Sequence, residues 1–243
     1  MTGQIGNNLL NALKPADYDL FHELLRERTL ASGETLYDPG DHVSMVYFPC
    51  DSAMAGYFVG LPDGKGVETA LIGREGAIGG IVSQGRLPAY ARCSVQAGGR
   101  FLALKADQLE QVKLQSLTIR HLFARYADCL MAQIFQTTAC NAGHTINQRA
   151  AKWMLATIDR SGTLEIEMSQ EQLAEMLGIG RSYISRVIGT MKADGLIAVA
   201  RRRIRILDLE RLRDLSCECN ESIKQHFDRV LKGVYPDEEP SEV

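Results

Sequence analysis

Residues 168–197 read MSQEQLAEMLGIGRSYISRVIGTMKADGLI, an amphipathic helical pattern that a glycine interrupts. Ser169 and Gln172 form a capping box, which predicts a helix that begins directly after Ser169. Gly178 predicts the end of this helix, because glycine accepts the positive φ of a tight turn. Two short helices joined by such a turn predict a helix-turn-helix.

Two short β-rich runs follow the second helix, which is predicted for residues 181–194. LIAVA (196–200) and IRIL (204–207) flank the basic turn RRR (201–203) and predict a β-hairpin. A helix-turn-helix with such a hairpin predicts a winged helix, whose second helix enters the DNA major groove. An ordinary helical hairpin followed by a solvated run of charge is the alternative interpretation. The predicted DNA-binding residues are Arg181, Ser182, Tyr183, Ser185, Arg186, Arg201, Arg202 and Arg203.

The charge distribution favours a polyanionic partner for this part of the chain. The 243 residues carry a net charge of −3, whereas residues 146–215 contain twelve Lys and Arg against nine Asp and Glu. No apolar run approaches the roughly 20 residues that cross a bilayer, and the N-terminus lacks the layout of a secretory signal. We therefore expect a cytoplasmic protein with no membrane partner.

Six cysteines are scattered through the chain, which predicts free thiols in a reducing compartment. Cys217 and Cys219, in the run CEC, are the only closely spaced pair, and such a pair can bind a metal or sense oxidants. No second Cys/His pair stands nearby in the sequence, so we expect no metal site and no cofactor. The sequence also shows no nucleophile with a base and no phosphate loop, so we expect a protein that is not an enzyme.

The region upstream of the winged helix shows two sequence patterns, one typical of β-strands and one typical of helices. From Gly33 to Leu104, short β-rich runs separated by Gly, Pro and Asp turns predict an antiparallel sandwich or barrel, and residues 8–29 are predicted to be helical. From Lys105 the pattern is helical, with an apolar stripe of near-heptad period. The stripe is either core or a seam for the same helix of a second subunit, and we favour the seam. It consists of Ile119, Phe123, Tyr126, Leu130 and Ile134.

Over nearly its full length the chain resembles the Crp/Fnr family of bacterial transcription regulators. The likeness rests on GETLYDPGDHVSMVYFP (33–49), DGKGVETALIGREGAIGG (63–80), CNAGHTINQRAAKWML (140–155) and the helix-turn-helix. The resemblance implies an α+β fold with an antiparallel, cyclic-nucleotide-binding-like β-roll, a long central dimerisation helix and a C-terminal winged helix. It also implies a homodimer that binds a two-fold-symmetric site in double-stranded DNA and contacts or blocks RNA polymerase. The expected divisions are 1–115 (roll), 116–145 (central helix), 146–215 (DNA-binding domain) and 216–243 (C-terminal helix and acidic tail).

The chain departs from family members that bind cyclic AMP. Those members carry a Gly-Glu-Leu motif in the roll, and an Arg-Ser pair follows it. Here the first motif reads Gly79-Gly80-Ile81 and the second falls near Pro88 and Ala89, so control by cyclic AMP is not expected. The N-terminal cysteine cluster of oxygen-sensing members is absent as well. The effector stays unknown, and the candidate residues for another pocket are Glu75, Arg86, Tyr90 and Arg92.

The predicted reading helix departs from the family pattern at one position. Arg181 and Arg186 match the family, whereas Ser182 stands where glutamate is common. Serine reads base edges less strictly than glutamate, so the family's usual half-site is not assumed. The alternative function is a redox- or small-molecule-responsive regulator whose winged helix mainly contacts protein partners. Steep salt dependence of DNA binding would separate the two, because each neutralised phosphate releases counterions.

Overall fold

A computed structural model describes residues 5–62, 66–80 and 87–232. The N-terminal half contains, in chain order, α1 (Asn8–Asn11), α2 (Pro15–His22), β1 (Arg26–Leu30), β2 (Thr35–Tyr37), β3 (Met45–Pro49), β4 (Met54–Gly60), β5 (Gly66–Ile72), β6 (Ile78–Gly79), β7 (Arg92–Ala97), β8 (Gly99–Lys105) and α3 (Ala106–Gln115). The C-terminal half contains α4 (Leu117–Gly143), α5 (Ile146–Ser161), β9 (Glu165–Ile166), α6 (Gln170–Met176), α7 (Arg181–Ala193), β10 (Ile197–Ala200), β11 (Arg203–Ile206), α8 (Leu209–Leu215) and α9 (Cys219–Leu231).

The first eight strands form two four-stranded antiparallel sheets, in the orders β1-β8-β3-β6 and β2-β7-β4-β5. Apolar side chains of both sheets meet in one buried cluster, which includes Ala55, Ile72, Val95 and Phe101. Burying one face of each sheet against the other is what stabilises a two-sheet roll. The predicted antiparallel β-roll is therefore confirmed, as is the α+β class with a long helix and a C-terminal helix-turn-helix.

The prediction of one helix over residues 8–29 is wrong. Pro15 starts the separate helix α2, since proline is tolerated in the first turn but cannot continue a preceding helix. Residues 26–30 form the strand β1, which pairs with β8 from Arg26 opposite Ala103 to Leu30 opposite Gly99. Leu30 is the only buried residue of this edge strand, so the strand has no apolar alternation that a sequence pattern could reveal.

The long helix α4 packs against the roll along one side. Its N-terminus is capped by Ser116, whose side chain accepts a hydrogen bond from the backbone N–H of Ile119. Phe123 lies among the roll's aromatic residues, with its ring centroid 6.3 Å from that of Phe48. Tyr126 is fully buried and its hydroxyl donates to the carbonyl of Ala77 at 3.0 Å. The most hydrophobic side of α4 is thus buried against the roll of the same chain.

The winged helix follows the predicted local rules. Ser169 accepts from the N–H of Gln172, and the Gln172 side chain accepts from the N–H of Ser169, which completes the capping box. Gly178 has φ +67°, and a Cβ at this position would stand 3.1 Å from a methyl group of Val67. Glycine is therefore required both by the turn and by its close approach to strand β5 of the roll.

Polar contacts join α5 to the roll, and two of them involve carboxylates of the roll. Arg160 donates to Glu75 at 2.8 Å in a largely buried ion pair. Trp153 donates from its indole nitrogen to Oε1 of Glu68 at 3.2 Å, while Oε2 of Glu68 is buried without a hydrogen-bond partner among the described residues. Burial raises the pKa of the Glu68 carboxyl to about 7, against the opposing influence of nearby Lys152 and Arg160.

The buried carboxyl predicts a specific pH dependence of stability. Between about pH 4.5 and 7, folded Glu68 keeps a proton that the unfolded chain releases, so the free energy of unfolding falls as pH rises through this range. We expect Glu68→Gln to remove this fall, a difference of at most about 3 kcal/mol between pH 4.5 and pH 8. Urea unfolding of both proteins across this range measures it. The matched control is Glu210→Gln, an exposed change on α8; parallel profiles for wild type and Glu68→Gln would contradict the assignment.

Candidate nucleic-acid interface

The N-terminal part of α7 presents a polar face to solvent. Ile184, Val187 and Ile188 on its opposite side are buried in the core of the winged helix. This core holds α7 against α6 at the tight turn, so the exposed residues project from a fixed support. The exposed residues are Arg181, Ser182, Tyr183, Ser185 and Arg186, the five that the sequence predicts for this helix.

Two contacts order the side chains of this face. The guanidinium of Arg186 lies over the ring of Tyr183, 5.1 Å from the centroid, a cation–π geometry that restricts the arginine. The hydroxyl of Ser185 donates to the side-chain oxygen of Gln170 at 2.9 Å and so links α7 to the start of α6. Arg186 therefore presents an oriented pair of donors, which suits the O6 and N7 acceptors of guanine.

The wing is a three-stranded sheet in the order β10-β11-β9, and its tip carries the basic residues. Arg201 and Arg202 form the exposed turn, and Arg202 takes a φ of 57°. Arg203 lies in β11 instead, where it pairs with Glu165 at 3.4 Å and Glu167 at 3.3 Å. Within the described part of the chain, no carboxylate lies within ion-pair distance of the two turn arginines.

A cleft of about 300 Å³ lies between the wing and the two helices of the helix-turn-helix. Its polar lining consists of Arg181 and Arg202, of Ser169 and Gln170 at the start of α6, and of one carboxylate, Glu171. Cations and hydroxyl donors along such a cleft suit the phosphates and sugars of a DNA strand, which supply affinity without sequence information.

The different pairing of the wing arginines predicts unequal contributions to DNA affinity. Log K falls with log salt, and Arg201→Ala should make this fall less steep by about 0.9, because one phosphate contact is lost. Arg203→Ala should reduce the steepness less, since Glu165 and Glu167 already compensate the charge of that guanidinium. Fluorescence anisotropy with a random duplex over a range of salt concentrations measures both slopes. Equal losses in the two variants would contradict this distinction.

The predicted seam on α4 needs correction, because three of its five residues face inward. Ile119, Phe123 and Tyr126 are buried in the roll core, and Leu130 packs against the same cluster. Only Ile134 is exposed. A second stripe, which the sequence pattern did not reveal, lies on the outward side of α4 and alternates by four and three residues. It consists of Leu117, His121, Ala124, Asp128, Met131, Phe135, Thr138 and Ala142, all of them exposed.

The described residues of the predicted effector pocket are not brought together. Glu75 pairs with Arg160 at the contact between the roll and α5. Arg92 pairs with an aspartate on the roll surface, and Tyr90 is 86% exposed. Arg86 lies outside the described residues. Glu75 therefore lies at the contact with α5, whereas Tyr90 and Arg92 are exposed on the roll surface.

The roll interior beside Gly79 is occupied by two tyrosines. The backbone N–H of Gly79 donates to the hydroxyl of Tyr57 at 3.2 Å. A Cβ at Gly79 would stand 3.2 Å from the hydroxyl of Tyr37 and would collide with the carbonyl of Met45, and the φ of Gly79 is +99°. Burial raises the pKa of both tyrosines, so both hydroxyls stay protonated near neutral pH. Gly80, next in the chain, offers no carboxylate.

Comparisons with known proteins agree with this architecture. Residues 148–215 match the family model of the Crp-like helix-turn-helix domain. The chain is 22% identical over 202 residues to the transcriptional regulatory protein btr of Bordetella pertussis, a match that covers 79% of this chain and 82% of that protein. FixK2 from Bradyrhizobium japonicum has a similar fold, with a TM-score of 0.67 and 16% identity over 79% of this chain and 98% of that one. TTHB099, a CRP-family transcriptional regulator from Thermus thermophilus, matches with a TM-score of 0.66 and 20% identity over 77% of this chain and 95% of that one.

The chain joins a roll through a long helix to a winged helix, an architecture that it shares with FixK2 and TTHB099. Residues 148–215 belong to the Crp-like helix-turn-helix domain family, and most of the chain shares the fold of the CRP-family regulator TTHB099. The relatives that it matches are regulators, not enzymes. Among the described helices, none combines the length and the apolar character that a membrane span requires.

Proposed function

We propose that the protein is a homodimer that binds a two-fold-symmetric DNA site through α7 and the wing and so controls transcription. The observation that carries the proposal is the exposed polar face of α7, with Arg186 oriented on Tyr183 and Arg181 lining the cleft together with Arg202. Arg181 and Arg186 are the proposed base-reading residues, while Arg201 and Arg202 contact phosphates. Contact with RNA polymerase belongs to the same proposal.

The exposed stripe of α4 supports the dimer. Its residues repeat every seven positions, as in a two-stranded coiled coil. Phe135 is 68% exposed and Met131 49% exposed in the single chain. Leu117, Met131 and Phe135 are the large apolar side chains of this stripe, and the other members are small or polar. Exposed apolar side chains at this spacing on a long helix suit contact with an identical helix, and a two-fold pair of subunits would present two reading helices to the DNA.

The roll does not favour control by cyclic AMP. A ribose diol needs a hydrogen-bond acceptor, and the position that is glutamate in cyclic AMP-binding members is Gly80. Tyr37 and Tyr57 already fill the interior beside it. We expect cyclic AMP at millimolar concentration to leave the melting temperature unchanged, because a ligand stabilises only a fold that it binds. A rise in melting temperature that depends on cyclic AMP concentration would contradict this part of the proposal.

DNA binding as a function of salt tests the proposal against its alternative, a winged helix that mainly contacts protein. A DNA-binding winged helix gives a steep linear fall of log K with log salt, with a slope of about −0.9 for each neutralised phosphate. The proposal predicts this slope on a random duplex, and predicts sedimentation of the free protein as a dimer. A flat salt dependence with weak binding would favour the protein-contact alternative.

A further inference from the structure

Four potential metal ligands from distant parts of the chain meet at the C-terminal end of α4. Cys140 and His144 lie one helical turn apart at the end of α4, Cys217 lies between α8 and α9, and Cys219 is the first residue of α9. Their ligand atoms all lie within 4.8 Å of one another. The three cysteines are buried and His144 is half-buried. Cys50, Cys93 and Cys129 are buried elsewhere in the chain.

The closest distances in this cluster suit a single tetrahedral ion. Zinc–sulfur bonds of about 2.3 Å and zinc–nitrogen bonds of about 2.0 Å at tetrahedral angles place two sulfurs about 3.8 Å apart, and sulfur and nitrogen about 3.6 Å apart. The two Sγ atoms of Cys140 and Cys217 are 3.7 Å apart. Sγ of Cys219 and Nδ1 of His144 are 3.6 Å apart. A disulfide would need the sulfurs at about 2.05 Å, so the Cys140–Cys217 pair is not bonded in this arrangement.

A hydrogen-bond donor lies next to the cluster of cysteines and histidine. The side-chain amide of Gln136, one turn before Cys140 on α4, donates to Sγ of Cys219 at 3.1 Å. Outer hydrogen bonds of this kind orient metal ligands and stabilise the anionic charge on thiolate sulfur. The donor set of three thiols and one imidazole is a known composition of structural zinc sites. Soft thiolates with imidazole favour zinc over the hard cations calcium and magnesium.

From this geometry we propose that Cys140, His144, Cys217 and Cys219 bind one zinc ion that fastens the C-terminal segment to the end of α4. Residue 144 caps α4 and residue 145 caps α5, so the ion would hold the junction between the central helix and the DNA-binding domain. The matched family domain, residues 148–215, contains none of the four ligands. The site would therefore be an addition to the domain that this family shares.

Metal analysis of the untagged full-length protein, purified with reductant and without chelator, tests the proposal. We expect one zinc per chain by mass spectrometry, and loss of that zinc in Cys140→Ser and in Cys217→Ser. The matched control is Cys129→Ala, a buried cysteine on the same helix that lies outside the cluster and should keep its zinc. Wild-type protein without zinc, even after incubation with zinc and desalting, would overturn the proposal. So would zinc retained equally in both serine variants, or a Cys140–Cys217 disulfide in the reduced preparation.

Cobalt substitution keeps the test decisive if a cysteine variant fails to fold. Cobalt(II) bound to three thiolates and one imidazole gives strong visible bands of tetrahedral cobalt and a sulfur-to-cobalt charge-transfer band. In His144→Ala the charge-transfer band should persist while the visible bands shift, because the sulfur ligands stay and the nitrogen is lost. Gln136→Ala should weaken zinc affinity by about 10-fold or more. The weak spectrum of octahedral cobalt in wild-type protein would overturn the site.

Discussion

Arg186→Ala is expected to weaken binding to the selected operator by about 1–3 kcal/mol, or roughly 5- to 150-fold, and to relax preference at one base pair. The side chain is exposed on the reading face of α7, with its guanidinium over the ring of Tyr183. A bidentate contact with guanine is lost in the variant, while the phosphate contacts of the wing stay in place. Binding to random DNA should therefore change much less than binding to the operator.

Competition binding to operator and random duplexes measures this discrimination. Tyr183→Phe is the matched control, because it keeps the ring under Arg186 and removes only the hydroxyl, so specificity at the Arg186 position should stay. Tyr183→Ala removes the ring that orients Arg186, so this variant should lose part of the sequence specificity that Arg186 provides. Equal losses on operator and random DNA in Arg186→Ala would contradict the base-reading role and assign Arg186 to the phosphates.

Met131→Glu combined with Phe135→Glu is expected to break the dimer, with at least about 100-fold weaker self-association. Both residues are exposed in the single chain and belong to the outward heptad stripe of α4. In the proposed seam the new carboxylates would be buried without partners and would face their own copies across the two-fold axis. Operator affinity should fall with the loss of the dimer, because one reading helix contacts only half of the site.

Analytical ultracentrifugation over a range of protein concentrations measures the effect, and circular dichroism checks that the monomer stays folded. The matched control is Leu207→Glu, a charge placed at an exposed leucine near the wing, which should leave the dimer intact. If the double variant dimerises with unchanged affinity, the outward stripe is not part of the dimer interface. The inward residues, such as Phe123, are not useful as test positions because their substitution damages the roll core.

The helix-turn-helix was predictable because its signals are local. The capping box at Ser169 and the turn at Gly178 act within a few residues, and the structure confirms both. The strand β1 was missed because its hydrogen bonds go to β8, about 70 residues away, and its side chains mostly face solvent. Local patterns carry no information about such a partner.

The exposed stripe of α4 and the cysteine cluster were missed for different physical reasons. Helix α4 carries two stripes of similar period, and the more hydrophobic one, through Phe123, belongs to the roll core. Hydrophobicity alone therefore selects the buried stripe and not the exposed one. Cys140 and Cys217 are 77 residues apart, and they meet because α9 packs on α4, with Phe227 against Tyr126 at 6.3 Å. The sequence showed the CEC pair, but only the fold brings Cys140 and His144 next to it.

Selection of bound sequences from random DNA by the purified, ligand-free protein at near-physiological salt tests the central claim most directly. The account predicts enrichment of a two-fold-symmetric site whose half-sites lie about one helical turn, 10–10.5 base pairs, apart. Repeating the selection with Arg186→Ala should relax the same position in both half-sites. Enrichment of a single asymmetric half-site, or salt-sensitive binding with no enriched sequence, would contradict a dimer that reads DNA through α7.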